Sequence, residues 1–231
     1  MSWRDFWNGE HAIYVSPRHK ALHYRAVATD LIGHVPAADA IVLDHGCGEA
    51  LDAGRVAAAC GRLYLCEAAA SVREKLRARF GRNEAIAVVS PEEIEALAPA
   101  TLDLVVANSL VQYLSRDELQ ALLATWRDKL KPGGALVVAD VIPPDVSPLT
   151  DASQLLAFAW RGGFLSAALA GLVRTAFSDY RKLRARYGLS TYTAEAMTQL
   201  IGEAGFADVR RPRNFGHNPH RMTFKAVKPA A

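Results

Sequence analysis

Val42-Leu43-Asp44-His45-Gly46-Cys47-Gly48-Glu49-Ala50 is the stretch whose reading decides the fold. It continues the apolar run that starts at Ala40-Ile41 and ends in an acid and a glycine-interrupted turn. A buried strand that ends this way lets a ligand approach the backbone, because glycine presents no side chain. The next apolar run, Leu63-Tyr64-Leu65-Cys66, ends at Glu67. A carboxylate there can accept hydrogen bonds from two ribose hydroxyls. Turn and acid together read as a nucleoside site at the mouth of a parallel sheet.

Working outward, the pattern alternates. Strands are expected at 40–44, 62–67, 86–89, 102–107 and 135–140, with helices at about 52–60, 70–80, 91–97 and 115–130 between them. Such alternation calls for parallel strands joined by right-handed crossovers. A helix over 17–34 precedes them, with Pro17 at its start. Ser90-Pro91-Glu92-Glu93 and Ser115-Arg116-Asp117-Glu118 read as capping boxes. Asp52 is placed to cap the helix after the glycine turn, and Lys131-Pro132-Gly133-Gly134 to turn the chain into the fifth strand. Beyond 140, residues 152–187 are mostly helical in character with a break at Gly162-Gly163. A helix over 194–204 stops at Gly205. Two last strands, 206–211 and 221–227, are joined too closely for a crossover and must pair antiparallel.

Composition sets the bounds. A chain of 231 residues that is 51% hydrophobic and 22% charged supports one core and a single domain over 1–231. Residues 1–150 carry a net charge of −4 and residues 151–231 one of +7. The basic last third suits an anionic substrate, a membrane surface or nucleic acid, or is simply a solvated helix face. Cys47, Cys60 and Cys66 have neither zinc-site spacing nor an even count for disulfides, so reduced thiols in a cytoplasmic protein are expected. The opening Met-Ser-Trp-Arg-Asp-Phe-Trp lacks the apolar core of a signal peptide.

Five segments, in order, resemble the class I S-adenosylmethionine-dependent methyltransferases. They are Val42 to Ala50, Leu63-Tyr64-Leu65-Cys66-Glu67, Leu102-Asp103-Leu104-Val105-Val106-Ala107-Asn108-Ser109, Leu130-Lys131-Pro132-Gly133-Gly134-Ala135-Leu136, and Gly202-Glu203-Ala204-Gly205-Phe206. The resemblance implies a Rossmann-like α/β fold: a seven-stranded, mostly parallel sheet with an antiparallel last strand and helices on both faces. It divides the chain into N-terminal cap helices (1–36), a cofactor-binding core (38–140), a helical substrate lid (150–190) and a last helix with a closing hairpin (193–228). One departure is plain, since Ala50 stands where the family usually has a third glycine. A dinucleotide fingerprint would need Gly or Ala where this chain has Leu51.

The resemblance also implies the site. Asp44, Gly46, Cys47, Gly48, Glu67 and Ala68 would hold the methionine and ribose parts of S-adenosylmethionine. Ser90 and Pro91 would border the adenine, although Ser90 also reads as a helix cap. Asn108 and Ser109 would face the methionine end. Read from the residues themselves, Tyr14, His19, His23 and Arg25 of the N-terminal segment either fold over the cofactor, Arg25 pairing with its carboxylate, or belong to a solvated amphipathic helix. No general base is evident. His19, His23 and Tyr113 are the candidates, with His11, His217 and His220 as further histidines able to take a proton. No metal site is read.

Asn108-Ser109-Leu110-Val111 lacks the Asn/Asp-Pro-Pro-aromatic motif of amide and adenine N-methylation, and no Pro-Cys nucleophile for cytosine occurs. The first absence argues against a DNA-adenine enzyme and the second against cytosine C5 methylation, so nucleic acid is not the expected partner. Leu155–Val173 is nearly apolar but contains Arg161 and a glycine pair, and the basic run 181–186 follows it. The segment 155–186 reads as a lid, as a peripheral contact with an anionic bilayer, or as a core helix with a wet neighbour. The expected function is methyl transfer to a small apolar or amphiphilic acceptor. A non-catalytic cofactor-binding scaffold and an RNA-directed methyltransferase are the alternatives.

Overall fold

The computed structural model describes residues 14–176 and 189–230. His11 and the basic run 181–186 therefore lie outside the described residues. The chain enters through α1 (Pro17–Ile32), capped by the Ser16 hydroxyl, which accepts the His19 N–H. There follow β1 (Ile41–His45), α2 (Ala53–Ala57), β2 (Arg62–Cys66), α3 (Ala70–Phe80), β3 (Ile86–Val89), α4 (Pro91–Glu95) and β4 (Leu102–Asn108). A 3-10 turn (Val111–Tyr113) leads to α5 (Arg116–Lys129) and β5 (Leu130–Val141). Last come α6 (Pro148–Gly162), α7 (Leu165–Ala176), α8 (Ala194–Glu203), β6 (Ala207–Arg210) and β7 (Met222–Val227).

The seven strands lie in the order β3-β2-β1-β4-β5-β7-β6. Every pair from β3 to β5 is parallel, and β7 runs antiparallel to both β5 and β6. Strand order reverses between β1 and β4, the place where an open α/β sheet forms its ligand crevice. Both expected capping boxes are present, at Ser90–Glu93 and Ser115–Glu118. Two local expectations need correction. Asp52 makes no side-chain cap; its carboxylate instead lies 3.6 Å from Arg25 and 3.7 Å from Arg55, charges that compete with the neutral helix N–H groups. β5 begins at Leu130 rather than 135, because Lys131–Gly134 bulge out of the ladder while still in strand.

Central strands are buried on both faces, as parallel strands under crossover helices must be. Leu43, Val105, Ala107, Leu136 and Val138 face α5 and α8 through Leu119, Leu123, Trp126, Met197 and Ile201. Val42, Leu63, Leu65, Leu104, Val106 and Val137 face the other way, onto Leu31, Val56 and Leu76. The break at Gly162-Gly163 exists: Gly163 takes a φ of 70° and ends α6, and the chain folds back as α7.

One polar bond crosses the first of these cores. Trp126 is fully buried, and its Nε1–H donates to Nδ1 of His45 at 3.1 Å. His45 must therefore be neutral at Nδ1, in keeping with burial lowering its pKa to about 4. Removing the donor leaves a buried acceptor unpaired, which costs about 1–3 kcal/mol. Trp126→Phe is thus expected to lower the calorimetric melting temperature by roughly 2–4 °C per kcal/mol lost. An unchanged melting temperature would show that the pair contributes nothing.

Candidate active site

The turn after β1 is held from two sides. Gly46 and Cys47 donate their N–H groups to the Cys66 carbonyl at 2.8 and 3.2 Å. Gly46 and Gly48 have φ of 77° and 57°, values that favour glycine. Space also demands them: a Cβ on Gly46 would lie 3.0 Å from Leu110 Cδ1, and one on Gly48 would lie 2.8 Å from Tyr24 Oη. Ala50 has φ 40°, and its methyl is buried in the core. Left-handed backbone costs an L-residue roughly 1–2 kcal/mol, and a buried methyl returns about 0.8 kcal/mol of that. The chain therefore tolerates alanine at this glycine position.

Glu67 faces the turn. Its Oε2 accepts the Gly48 N–H at 3.0 Å and its Oε1 the Ala69 N–H at 2.9 Å. Arg73 donates to the carbonyls of both Glu67 and Ala68 at 2.7 Å, fixing the backbone that carries the acid. A carboxylate oxygen can accept two hydrogen bonds, so each keeps one lone pair for a hydroxyl. Two free acceptor positions on one rigid carboxylate suit a ribose diol, and so the residues present fit a nucleoside cofactor. Asp44, under the turn, has its pKa raised to about 7, chiefly by burial and then by the Glu67 charge. A cationic ligand group would relieve that carboxylate when it ionises.

These residues open onto a cavity of about 840 Å³, within the span of about 300–1,000 Å³ usual for ligand sites. Tyr14, His19, His23, Gly46, Cys47, Gly48, Glu67, Ala68, Pro91, Asn108, Ser109 and Tyr113 all line it. Asp44 borders a small adjoining space of about 40 Å³. Two expected residues do not reach the cavity. Ser90 is occupied by its capping box, its hydroxyl accepting the Glu93 N–H. Arg25 is largely exposed and faces Asp52, because its position on α1 points it away from the cavity.

Other lining residues gave little sign in the sequence. Tyr24, on α1, accepts the Glu49 N–H at 3.0 Å and lies against Gly48. Gln112 is buried and Arg221 largely so, and Gln112 Oε1 and Arg221 Nε have no partner among the described residues. They stand at neighbouring strand ends, after β4 and before β7, with Asp140 of β5 between them. Position was the available signal, since each sits at a strand end on the ligand-bearing edge.

Ser109 and Asp140 end β4 and β5 with φ of 55° and 60°. Such conformations cost about 1–3 kcal/mol each and gather at functional sites. Ser109 Oγ donates to Asp140 Oδ2 at 2.7 Å, Asn108 Nδ2 donates to Ser109 Oγ at 3.2 Å, and the Asp140 N–H donates to Asn214 Oδ1 at 3.1 Å. Burial pushes the Asp140 carboxyl up, and the Arg221 charge pulls it back. Arg221 itself pairs with Asp151 at 2.7 Å.

Above the cavity, burial lowers His19 to about 4 and His23 to about 3, with His217 adding to both shifts. Both are neutral at ordinary pH, and such weakly basic rings are poor proton acceptors in the ground state. His217 is lowered too, and its ring stacks on Phe158 at 4.3 Å. Among the described residues, no group of three or more His, Cys, Asp or Glu side chains is placed to hold a metal.

Two outcomes test this geometry. Glu67→Ala is expected to weaken S-adenosylmethionine binding by tenfold or more in calorimetry, given about 1.5–3 kcal/mol for each hydrogen bond to a charged group. Unchanged affinity would remove Glu67 from the site. Asp44 also carries a pH signature. Its folded pKa is raised, so the folded state favours the protonated acid, and stability falls as pH rises from the unfolded value of 3.8 towards about 7. Asp44→Asn is expected to melt a few degrees above the parent at about pH 8 and level with it near pH 4. Equal melting at both pH values would show that Asp44 is not held protonated.

Residues 42–134 match the family described as the methyltransferase domain. No curated protein matches the sequence. Solved structures share the fold. The S-adenosylmethionine-dependent methyltransferase SibL, in its apo form, superposes with a TM-score of 0.60 at 19% identity, over 91% of this chain and 55% of SibL. Human N-acetylserotonin methyltransferase in complex with SAM gives 0.59 at 15%, over 92% of this chain and 54% of that one. The chain thus spans about half the length of these two. Magnesium protoporphyrin IX methyltransferase from Synechocystis PCC 6803, with bound SAH, gives 0.56 at 14%, over 98% and 92%. The matched segment 42–134 is thus similar to the methyltransferase-domain family, and the strand order of the whole sheet is the fold these S-adenosylmethionine-dependent methyltransferases share.

Proposed function

We propose that this chain transfers a methyl group from S-adenosylmethionine to a small amphiphilic acceptor held in the same cavity. The observation that carries this reading is the two-sided composition of the chamber. One half, over β1 and β2, presents Gly46, Gly48 and Glu67. The other, at the ends of β4, β5 and β7, combines Leu110, Leu114, Leu122 and Phe215 with Gln112, Asp140 and Arg221. Apolar walls with a few buried polar anchors suit a molecule that is partly greasy and partly polar. SAM is bound by the N-acetylserotonin enzyme and SAH by the magnesium protoporphyrin IX enzyme. Both names carry a small organic acceptor, which supports the same reading here. The buried free thiols Cys47, Cys60 and Cys66 accord with a reducing, cytoplasmic setting.

The bound cofactor supplies a methyl group on a sulfonium that is already electrophilic. The protein's share is therefore alignment and exclusion of water. Glu67 and the Gly46–Gly48 turn fix the nucleoside end. Asn108 and Ser109, at the switch between β1 and β4, stand between the two halves. Tyr14, Tyr24, His19 and His23 roof the chamber with desolvated rings. Asp140, oriented by Ser109 and Asn214, is the carboxylate placed to receive a proton from a hydroxyl acceptor.

Labelled-methyl transfer to a fractionated cell extract tests this reading. Label is expected in a low-mass fraction, and Glu67→Ala should abolish it. Label in RNA would replace the acceptor class. Tight cofactor binding in calorimetry with no transfer to any fraction would make the chain a binding scaffold.

A further inference from the structure

The helical hairpin α6–α7 has two apolar faces, and the described residues cover only one. Its inner face packs on α1: Ala159, Phe164 and Ala168 are buried with Val15, Leu22 and Phe158 around them. Packing there is close, since a Cβ on Gly171 would meet Val15 Cγ1 at 2.2 Å. The outer face carries Leu149 at 82% exposure, Trp160 at 75%, Val173 at 65% and Leu169 at 52%. Among the described residues these are the strongly exposed large apolar side chains, and all four lie on this hairpin. Leu149 and Trp160 are three helical turns apart on one side of α6, and Leu169 and Val173 one turn apart on α7. Single exposed apolar residues need no explanation, but a patch confined to one element does.

Charge decides between occupants. Exposed Arg161 follows Trp160, and exposed Arg18 bonds the Gly162 carbonyl at the tip of the hairpin. Beyond Ala176 the sequence 177–188 holds Arg181, Lys182, Arg184 and Arg186 against the single acid Asp179. A two-fold contact with a second copy would bring the like charges of Arg161 and Arg18 together with those of the other copy. An anionic bilayer complements them: apolar side chains enter the acyl boundary, tryptophan sits at the headgroup level, and the bases meet anionic headgroups. No helix among the described residues is long and apolar enough to cross a membrane, so the contact would be peripheral.

We propose that the outer face of α6–α7, through Leu149, Trp160, Leu169 and Val173, docks the protein on an anionic lipid surface. The same α6 turns Asp151 towards the acceptor half of the cavity. Docking would therefore set that half one helix away from the lipid headgroups, where amphiphilic molecules concentrate.

Co-sedimentation of the full chain with vesicles tests the proposal. Binding to phosphatidylcholine vesicles containing phosphatidylglycerol is expected to exceed binding to phosphatidylcholine alone by tenfold or more, and to weaken steeply as salt is raised. The double substitution Leu149→Glu with Trp160→Glu should abolish it, while circular dichroism and S-adenosylmethionine calorimetry stay unchanged as controls of folding and of the cofactor half. Trp160→Phe should remove the lipid-induced blue shift of tryptophan emission. Absence of binding to the anionic vesicles overturns the proposal, as does equal binding to both kinds. A dimer in light scattering that the double substitution splits, without vesicle binding, would assign the face to a second copy instead. Because calorimetry follows the cofactor independently, failure of lipid binding leaves the methyl-transfer reading standing, and the reverse holds too.

Discussion

The site depends on one carboxylate that serves two backbones. Glu67 accepts the Gly48 N–H from the turn after β1 and the Ala69 N–H from the start of α3. Two neighbouring strand ends are thereby set at a fixed separation, with spare acceptor capacity facing the cavity. The cost is electrostatic, because the Glu67 charge adds to the burial that drives Asp44 towards its neutral form. A protein selected only for stability would not place two acids so close beneath a turn of bare backbone. The arrangement makes sense when a ligand brings hydroxyls and positive charge to it.

A second constraint sits at the reversal of strand order. Ser109 and Asp140 both adopt left-handed backbone at adjacent strand ends, and their side chains bond each other. Asn214 holds the Asp140 N–H and also accepts from Thr223 at 2.9 Å, so the closing hairpin takes part in fixing the acid. This gives the closing hairpin a role beyond completing the sheet: it braces the Asp140 end of the cavity. The aromatic and histidine side chains above are held by packing, with His19 stacked on Phe164 at 5.1 Å and His217 on Phe158 at 4.3 Å.

Much of this was legible in the residues. Periodicity and turn chemistry placed the strands, both capping boxes and the Gly162-Gly163 break, since each depends on neighbours within a few positions. The glycine turn and Glu67 stood out because a carboxylate at the end of a buried strand has few other reasons to be there. What escaped depended on distant partners. Arg25 and Asp52 found each other instead of a ligand and a helix end, and no local pattern encodes that choice. Tyr24, Gln112 and Arg221 reach the cavity because α1 crosses the sheet and because β4 and β7 flank β5. Such adjacency is a property of topology, and sequence spacing does not carry it.

Helix α1 touches both compartments at once. Lys20 pairs with Glu49, and Tyr24 accepts the Glu49 N–H, at the nucleoside end. Towards the hairpin, Arg18 bonds Gly162 and His19 lies on Phe164. One helix thus braces the glycine turn at one place and the hairpin at another. Whatever fixes that helix therefore also fixes the roof of the cavity, where Tyr14, His19, His23 and Tyr24 line it.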